Sequence, residues 1–288
     1  MISRTLPIVI NDGITLGLEE ARAFGEAHCK TYSSASPFEH IALEDFLPTD
    51  FAQEILDQFP TDSLPDDVVH NTGYGGLQKR SVNPESCSSK ARSIFYFFNS
   101  KPFLQFLEGL TGIKGLIGDP YFHGGGFHEI FNGGKLGIHA DFRIHQTLNL
   151  KRRINVLIYL NKDWSAEFGG ELELWDTLGR QKMVSFAPLF NRCVIFNTDE
   201  NSYHGHPEPL NIPPEVTRKS LALYYYTASK SVHKETPNYT TRYIARPQDD
   251  SSIRREVRRL ELQNYARDWI PPVVYRAIIR IKKKTTRS

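Results

Sequence analysis

Apolar and polar residues change their period several times along the 288 residues. Residues 19–30 are compatible with a short helix, and residues 38–46 with an extended segment, Ile41 and Leu43 alternating against Ala42 and Glu44. Phe51, Ile55, Leu56 and Phe59 then recur at helical spacing until Pro60 stops the run. Asp50, with Gln53 three residues on, predicts a capping box for that helix. A polar stretch rich in Ser, Pro, Asp and Gly reads as a loop to about Ser93, long enough for a lid or a substrate loop. A second helix is expected near Ser100, with Pro102 in its first turn, Phe103, Phe106, Leu107 and Leu110 on one face, and Gly112 at its end. From Tyr121 to Tyr226 the period drops to two. Ile154, Val156, Ile158 and Leu160 alternate with Asn155, Leu157 and Tyr159, and further short strands are expected at 171–175, 182–186, 192–196 and 220–227. Short strands at this spacing predict a sandwich or barrel, so the fold class is mainly β with flanking helices. Beyond Pro247 the pattern is helical again, through Ile253, Val257, Leu260 and Tyr265, with an interruption at Pro271-Pro272 and a further apolar face at Val274, Ile278 and Ile281.

This pattern divides the chain into a helical support region (1–120), a β core (121–230) and a helical tail (231–288). Composition changes the picture little: 40% hydrophobic and 24% charged residues are ordinary for a globular protein. Charge distribution changes it more. The net charge is +2, but residues 251–288 carry 11 Lys and Arg against Glu256, Glu261 and Asp268, a local +8 that leaves −6 for the remainder. Three scattered cysteines, Cys29, Cys87 and Cys193, make no disulfide framework and no CxxC pair. Residues 1–11, broken by Arg4 and Pro7, lack the pattern of a secretory signal, and no run of 18 apolar residues occurs. These features together lead us to expect a cytoplasmic protein.

The chemistry concentrates between Gly124 and Arg218. On a strand, residues i and i+2 point the same way, so His139 and Asp141 would send an imidazole and a carboxylate into one space. Two histidines and one carboxylate on one face of a metal leave positions open, which suits non-haem Fe(II). His204, after the apolar strand ending at Phe196, is placed to supply the third ligand, and His206 competes with it. Arg218 opens the next strand, and its planar guanidinium suits a two-point grip on a carboxylate. Tyr159 can add a hydroxyl from a neighbouring strand.

Several motifs in this region, in order, resemble the Fe(II)- and 2-oxoglutarate-dependent dioxygenases of the prolyl 4-hydroxylase type. Besides His139-Ala-Asp141, residues 153–164 resemble the family's tyrosine-bearing strand and its Leu-Asn-x-x-Trp turn. Gly169-Gly170-Glu171-Leu172 resembles its Gly-Gly-x-Leu turn, residues 188–196 the segment leading to the distal histidine, and Thr217-Arg218 the oxoglutarate clamp. The resemblance spans a little over a third of the chain. It implies a double-stranded β-helix, or jelly-roll, core. It implies Fe(II) held by His139, Asp141 and His204, with the match in spacing from Phe196 favouring His204 over His206. It further implies 2-oxoglutarate held by Arg218 and Tyr159, with ascorbate as a reductant. The expected reaction hydroxylates an unactivated C–H of a peptide side chain, prolyl among the candidates, or of a small metabolite, releasing succinate and CO2. The presence of Asp141 favours hydroxylation, because related halogenases lack that carboxylate. Two departures lie beside the expected substrate entrance. Fourteen residues and four prolines carry the chain from His204 to Arg218, and Gly124-Gly125-Gly126-Phe127-His128-Glu129 stands where those enzymes often carry a tyrosine.

Other readings compete. A jelly-roll sensor could bind the metal and 2-oxoglutarate without turnover. A structural zinc site fits poorly, because two His and one Asp leave it open. The Gly124–Gly126 run lacks the Lys-Ser or Lys-Thr of a phosphate loop and reads as a flexible turn at the site mouth. His123, His128 and His145 read as supporting or surface histidines. The basic tail reads first as a solvated helix. Peripheral contact with an anionic membrane, through the amphipathic residues 273–284, comes second. Nucleic acid is disfavoured as a partner, because Tyr224 stands where nucleic-acid demethylases of the family carry a second arginine.

Overall fold

The computed structural model describes residues 5–145, 147–228 and 240–269. In chain order the elements are β1 (Val9–Ile10), β2 (Ile14–Thr15), α1 (Leu18–Ser33), β3 (His40–Leu43), α2 (Thr49–Asp57), β4 (Val68–His70), β5 (Leu77–Val82), α3 (Ser89–Phe98), α4 (Lys101–Thr111) and β6 (Leu116–Gly118). There follow β7 (Gly126–Ala140), β8 (Lys151–Tyr159), β9 (Leu172–Trp175), β10 (Lys182–Phe186), β11 (Cys193–Asn197), β12 (His204–His206), β13 (Arg218–Thr227), β14 (Arg242–Tyr243) and α5 (Ser251–Trp269). The pairings that build the core are antiparallel and form two sheets. The major sheet runs β4-β5-β7-β13-β8-β11-β3, with β6 on the far end of β13. The minor sheet runs β10-β9-β12-β7-β14. The long strand β7 belongs to both, pairing with β13 through residues 126–130 and with β12 and β14 through residues 136–140. This is the double-stranded β-helix, mainly β with helices on one side.

The alternation along β8 explains the layering. Ile154, Val156 and Ile158 face outward onto the helices, where they join Leu221, Leu223 and Tyr225 of β13 and the rings of Phe46, Phe51, Phe98, Phe103 and Phe106. Each such side chain, fully buried, contributes about 1.5–3 kcal/mol relative to exposure. The helices are delimited by local chemistry. Ser88 accepts the Ala91 N–H through its hydroxyl at 3.1 Å and starts α3. Pro102 sits in the first turn of α4, and Gly112 ends that helix at φ 72°, a left-handed conformation that glycine adopts freely.

Several elements differ from the expectations. The capping box of α2 does not form. The helix begins two residues earlier, with Pro48 as its cap; Asp50 lies within the first turn, and the Gln53 amide donates to Asp57 Oδ1 at 2.6 Å. The expected loop to Ser93 contains β4, β5 and the start of α3, and β5 extends the major sheet through β7. Its sequence, Leu-Gln-Lys-Arg-Ser-Val, carries no apolar alternation because one of its faces meets ion pairs and the other lines a polar cavity. The region before residue 120 thus supplies strands as well as helices.

Downstream, α5 is capped by Asp250, whose carboxylate accepts the Ser252 and Ile253 N–H groups. It docks through Glu256, which accepts the Tyr74 N–H at 2.8 Å, and through buried Val257. Among the described residues no helix is long and apolar enough to cross a membrane. The expected features at Pro271-Pro272, Val274, Ile278 and Ile281, and with them most of the basic tail, lie outside the described residues.

Candidate active site

The two sheets enclose a cavity of about 580 Å³. His139, near the end of β7, and His204, the first residue of β12, are direct partners in the antiparallel register. Gly205 lets the strands meet closely there, since a Cβ on it would lie 2.7 Å from the Gly137 carbonyl oxygen. The two imidazole rings are 4.4 Å apart, centre to centre. Asp141, just past β7, completes the group: its Oδ1 lies 3.7 Å from His139 Nε2 and its Oδ2 3.4 Å from His204 Nε2. One donor atom from each of the three falls within 4.8 Å of the others, and all three residues are buried. His206 is not part of this group. It is buried on the same strand, beside Leu136, and neither of its ring nitrogens has a hydrogen-bond partner among the described residues.

The protonation states suit metal binding. His139 Nδ1 lies 2.8 Å from the Gly137 carbonyl and His204 Nδ1 2.9 Å from that of Ser202. A carbonyl only accepts, so Nδ1 carries the proton in both rings and each Nε2 presents a lone pair to the common space. Burial, with the neighbouring His204 charge, lowers the His139 pKa to about 3, and burial lowers that of His204 as well. For Asp141 burial pushes upward, but Arg152, His204 and His139 outweigh it and hold the carboxyl below its ordinary value. Two neutral nitrogens and one carboxylate converging in a buried space fit a divalent metal with open positions.

Arg152 and Asn155, both from β8, hold Asp141 in place. Asn155 Nδ2 donates to Asp141 Oδ2 at 2.7 Å, Arg152 Nη2 lies 3.0 Å from the same oxygen, and Arg152 donates to Asn155 Oδ1. The Arg152 guanidinium lies over the Tyr224 ring, 3.5 Å from its centre, and over the Phe142 ring, at 4.6 Å. Tyr224 therefore supports a cation, at the position where the sequence comparison had noted the absence of one.

Arg218 is also buried and lines the cavity. Its Nε donates to the Gly170 carbonyl at 2.7 Å, and its Nη2 lies 3.4 Å from the Tyr159 hydroxyl. No carboxylate pairs with it among the described residues, so its remaining N–H groups are free for a ligand. Burial raises the Tyr159 pKa despite the Arg218 charge, so its hydroxyl keeps its proton. The structure thus brings together all five residues singled out in the sequence.

The flanking histidines separate. His123 and His128 line the cavity, and His128 Nε2 sits 3.0 Å from the Gly124 carbonyl. His145 is buried away from the cavity beside Asp119, at 3.3 Å. Gly124 and Gly125 form the expected turn at the cavity wall, whereas Gly126 begins β7.

Residues 125–226 match the family model described as the 2OG-Fe(II) oxygenase superfamily. Mouse prolyl 3-hydroxylase OGFOD1 is 33% identical over 82 residues, which are 27% of this chain and only 15% of the mouse protein. Two solved structures are similar at low identity. A prolyl 4-hydroxylase from Pseudomonas putida gives a TM-score of 0.49 at 15% identity, covering 71% of this chain and 99% of that one. A prolyl hydroxylase from Trichoplax adhaerens, in complex with a hypoxia-inducible-factor peptide fragment, gives 0.48 at 17% identity, covering 73% and 91%. His139, Asp141, His204 and Arg218 all lie inside the segment, residues 125–226, that is similar to the 2OG-Fe(II) oxygenase superfamily model.

Proposed function

We propose that the protein is an Fe(II)- and 2-oxoglutarate-dependent dioxygenase that hydroxylates an unactivated C–H of a peptide side chain or small metabolite, releasing succinate and CO2. The observation that carries this reading is the convergence of two neutral Nε2 atoms and one carboxylate beside an unpaired, buried arginine. His139, Asp141 and His204 would hold Fe(II), and Arg218 with Tyr159 would hold the distal carboxylate of 2-oxoglutarate. Iron with the keto acid supplies oxidative decarboxylation and the oxidising equivalent for the C–H bond.

The chain's own residues bind, orient and exclude water. Gly170 fixes the Arg218 Nε, so the outer edge of the guanidinium faces the ligand. Tyr159 offers its O–H alongside. Asn155 and Arg152 both engage Asp141 Oδ2, which leaves Oδ1 the less encumbered oxygen for the metal. Ile130, Leu157 and Leu172 are aliphatic side chains in the lining and would limit the water that reaches the keto acid. A peptide substrate, a prolyl residue included, is favoured by the prolyl hydroxylase identity of the mouse relative, and ascorbate would serve as an external reductant.

The test is anaerobic addition of Fe(II) and then 2-oxoglutarate to the purified protein. A visible charge-transfer band that fades in air as succinate forms is the expected result. Arg218→Ala should keep iron and raise the 2-oxoglutarate requirement by about tenfold or more, the loss of a charge-assisted pair. Iron binding with neither a band nor succinate would favour a non-catalytic metal protein instead.

A further inference from the structure

Neighbouring residues of β5 meet opposite fates. Arg80 points to the outer face, where Asp67 lies 2.7 Å from its Nε and Glu129 3.0 Å from its Nη1. Lys79 points the other way and lines the cavity. Among the described residues its ammonium makes no ion pair and no hydrogen bond. The register fixes where it sits: Lys79 on β5 and Arg218 on β13 both stand opposite Ile130 of β7, so the two cations flank one isoleucine on the inner face. His70, His128, His139, His204 and His206 line the same cavity as Lys79.

The charges of the cavity do not balance without a further anion. Asp141 is matched by Arg152. Of the two carboxylates of 2-oxoglutarate, one is assigned to Arg218 and the other to the metal. The remaining acidic residues of the lining, Asp66 and Glu85, are exposed at the rim and engaged by Ser86 and Tyr96. Among the described residues no carboxylate stands opposite Lys79. A cation kept partly out of water without a partner is unfavourable, and burial lowers its pKa to about 8 against the opposing pull of Asp141. On the polar exposed surface a lysine would be free of this cost, so its position inside calls for a ligand.

We propose that Lys79 is an anion-binding point for the primary substrate, which carries a carboxylate beside the C–H bond to be oxidised. This rests on the oxygenase reading given above. In a peptide the group would be an acidic side chain or the C-terminus near the modified residue. In a metabolite it would be the acid itself. Lys79 then acts as a selectivity residue, and β5 as the substrate-facing edge of the major sheet.

The test uses the full chain loaded with Mn(II), which is redox-silent and paramagnetic, and saturated with 2-oxoglutarate. Three probes are added in turn: propionate, uncharged propionamide and inorganic phosphate. Nuclear relaxation of each probe reports its approach to the metal. Propionate should relax faster than propionamide, and Lys79→Met should remove that difference by about tenfold, the loss of one charge-assisted contact. Lys79→Arg should retain most of it, and 2-oxoglutarate affinity should change less than about twofold in either variant, since Arg218 is intact. A propionate signal unchanged in Lys79→Met would overturn the proposal. So would a tenfold loss of 2-oxoglutarate affinity, which would give the lysine to the cosubstrate, or a preference for phosphate over propionate. Failure of the unmodified protein to bind 2-oxoglutarate at all is a separate result, and would count against the oxygenase reading itself.

Discussion

The two faces of the major sheet use the same strands for different ends. Along β8 and β13 the face toward the helices is apolar, with Ile154, Val156, Ile158, Leu221 and Leu223 packed against phenylalanine rings. The face toward the cavity carries Lys79, His128, Asn155, Tyr159 and Arg218. Side chains one position apart therefore answer to different physics. One face gains from removing apolar surface from water. The other keeps polar groups under-solvated and partly unpaired, which costs stability and gives binding its driving force. Substitutions on the two faces should separate stability from activity.

The largest expected effect is on the cavity side. Asp141→Ala should remove a metal ligand and lower succinate formation by about a thousandfold or more, equivalent to about 4 kcal/mol, measured on the folded fraction because the change also leaves Arg152 buried without its carboxylate. Retention of substantial turnover would break the comparison. On the other face, Ile158→Ala should cost about 2–5 kcal/mol of stability by opening a cavity in a packed core. Denaturant titration would measure it, and metal affinity of the folded fraction should stay as it was; a loss of affinity would show that the faces are coupled. Smaller again is Asn155→Leu, which keeps the volume but removes the amide holding Asp141 Oδ2. Metal affinity should fall by about 10–100-fold, read by competition with a chelator. An unchanged affinity would leave Asp141 positioned by Arg152 alone.

The smallest effect is in pH dependence. The His139 pKa is lowered to about 3 by burial, so the unfolded chain takes up its proton first as pH falls. The stabilisation tied to its neutral form is complete above the unfolded value of about 6.5 and is lost as pH drops toward 3. In metal-free protein, His139→Gln should flatten the decline of melting temperature between about pH 6.5 and 4. An identical slope in the variant would mean the histidine is not held neutral by the fold.

Much of the site could be read from the chain because it rests on short spacings. His139 and Asp141 are two apart, and Tyr159 lies in a strand whose alternation is regular. Arg152 was not legible. By parity it belongs with Ile154, on the core side. The structure pairs Ile154 with Tyr225 and Arg152 with Tyr226, so a bulge at Arg153 resets the alternation and turns Arg152 into the cavity. Lys79 was hidden for another reason. A strand with ion pairs on one face and a cavity on the other has no hydrophobic period to detect. The helix α3 was missed because Ile94, Phe95, Phe97 and Phe98 are all buried, which erases a one-sided stripe.

The pairing of His204 with His139 has a consequence for how the chain can be altered. Successive strand residues face opposite sides, so sliding β12 by a single position along β7 would turn His204 away from its partner. The six residues between β11 and β12 thus act as a ruler, and insertions there should be far less tolerated than in the eleven between β12 and β13, where Arg218 is held by its own ladder to β7 and β8. Anyone grafting a new substrate loop onto this scaffold has the second segment to work with and should leave the first at its natural length.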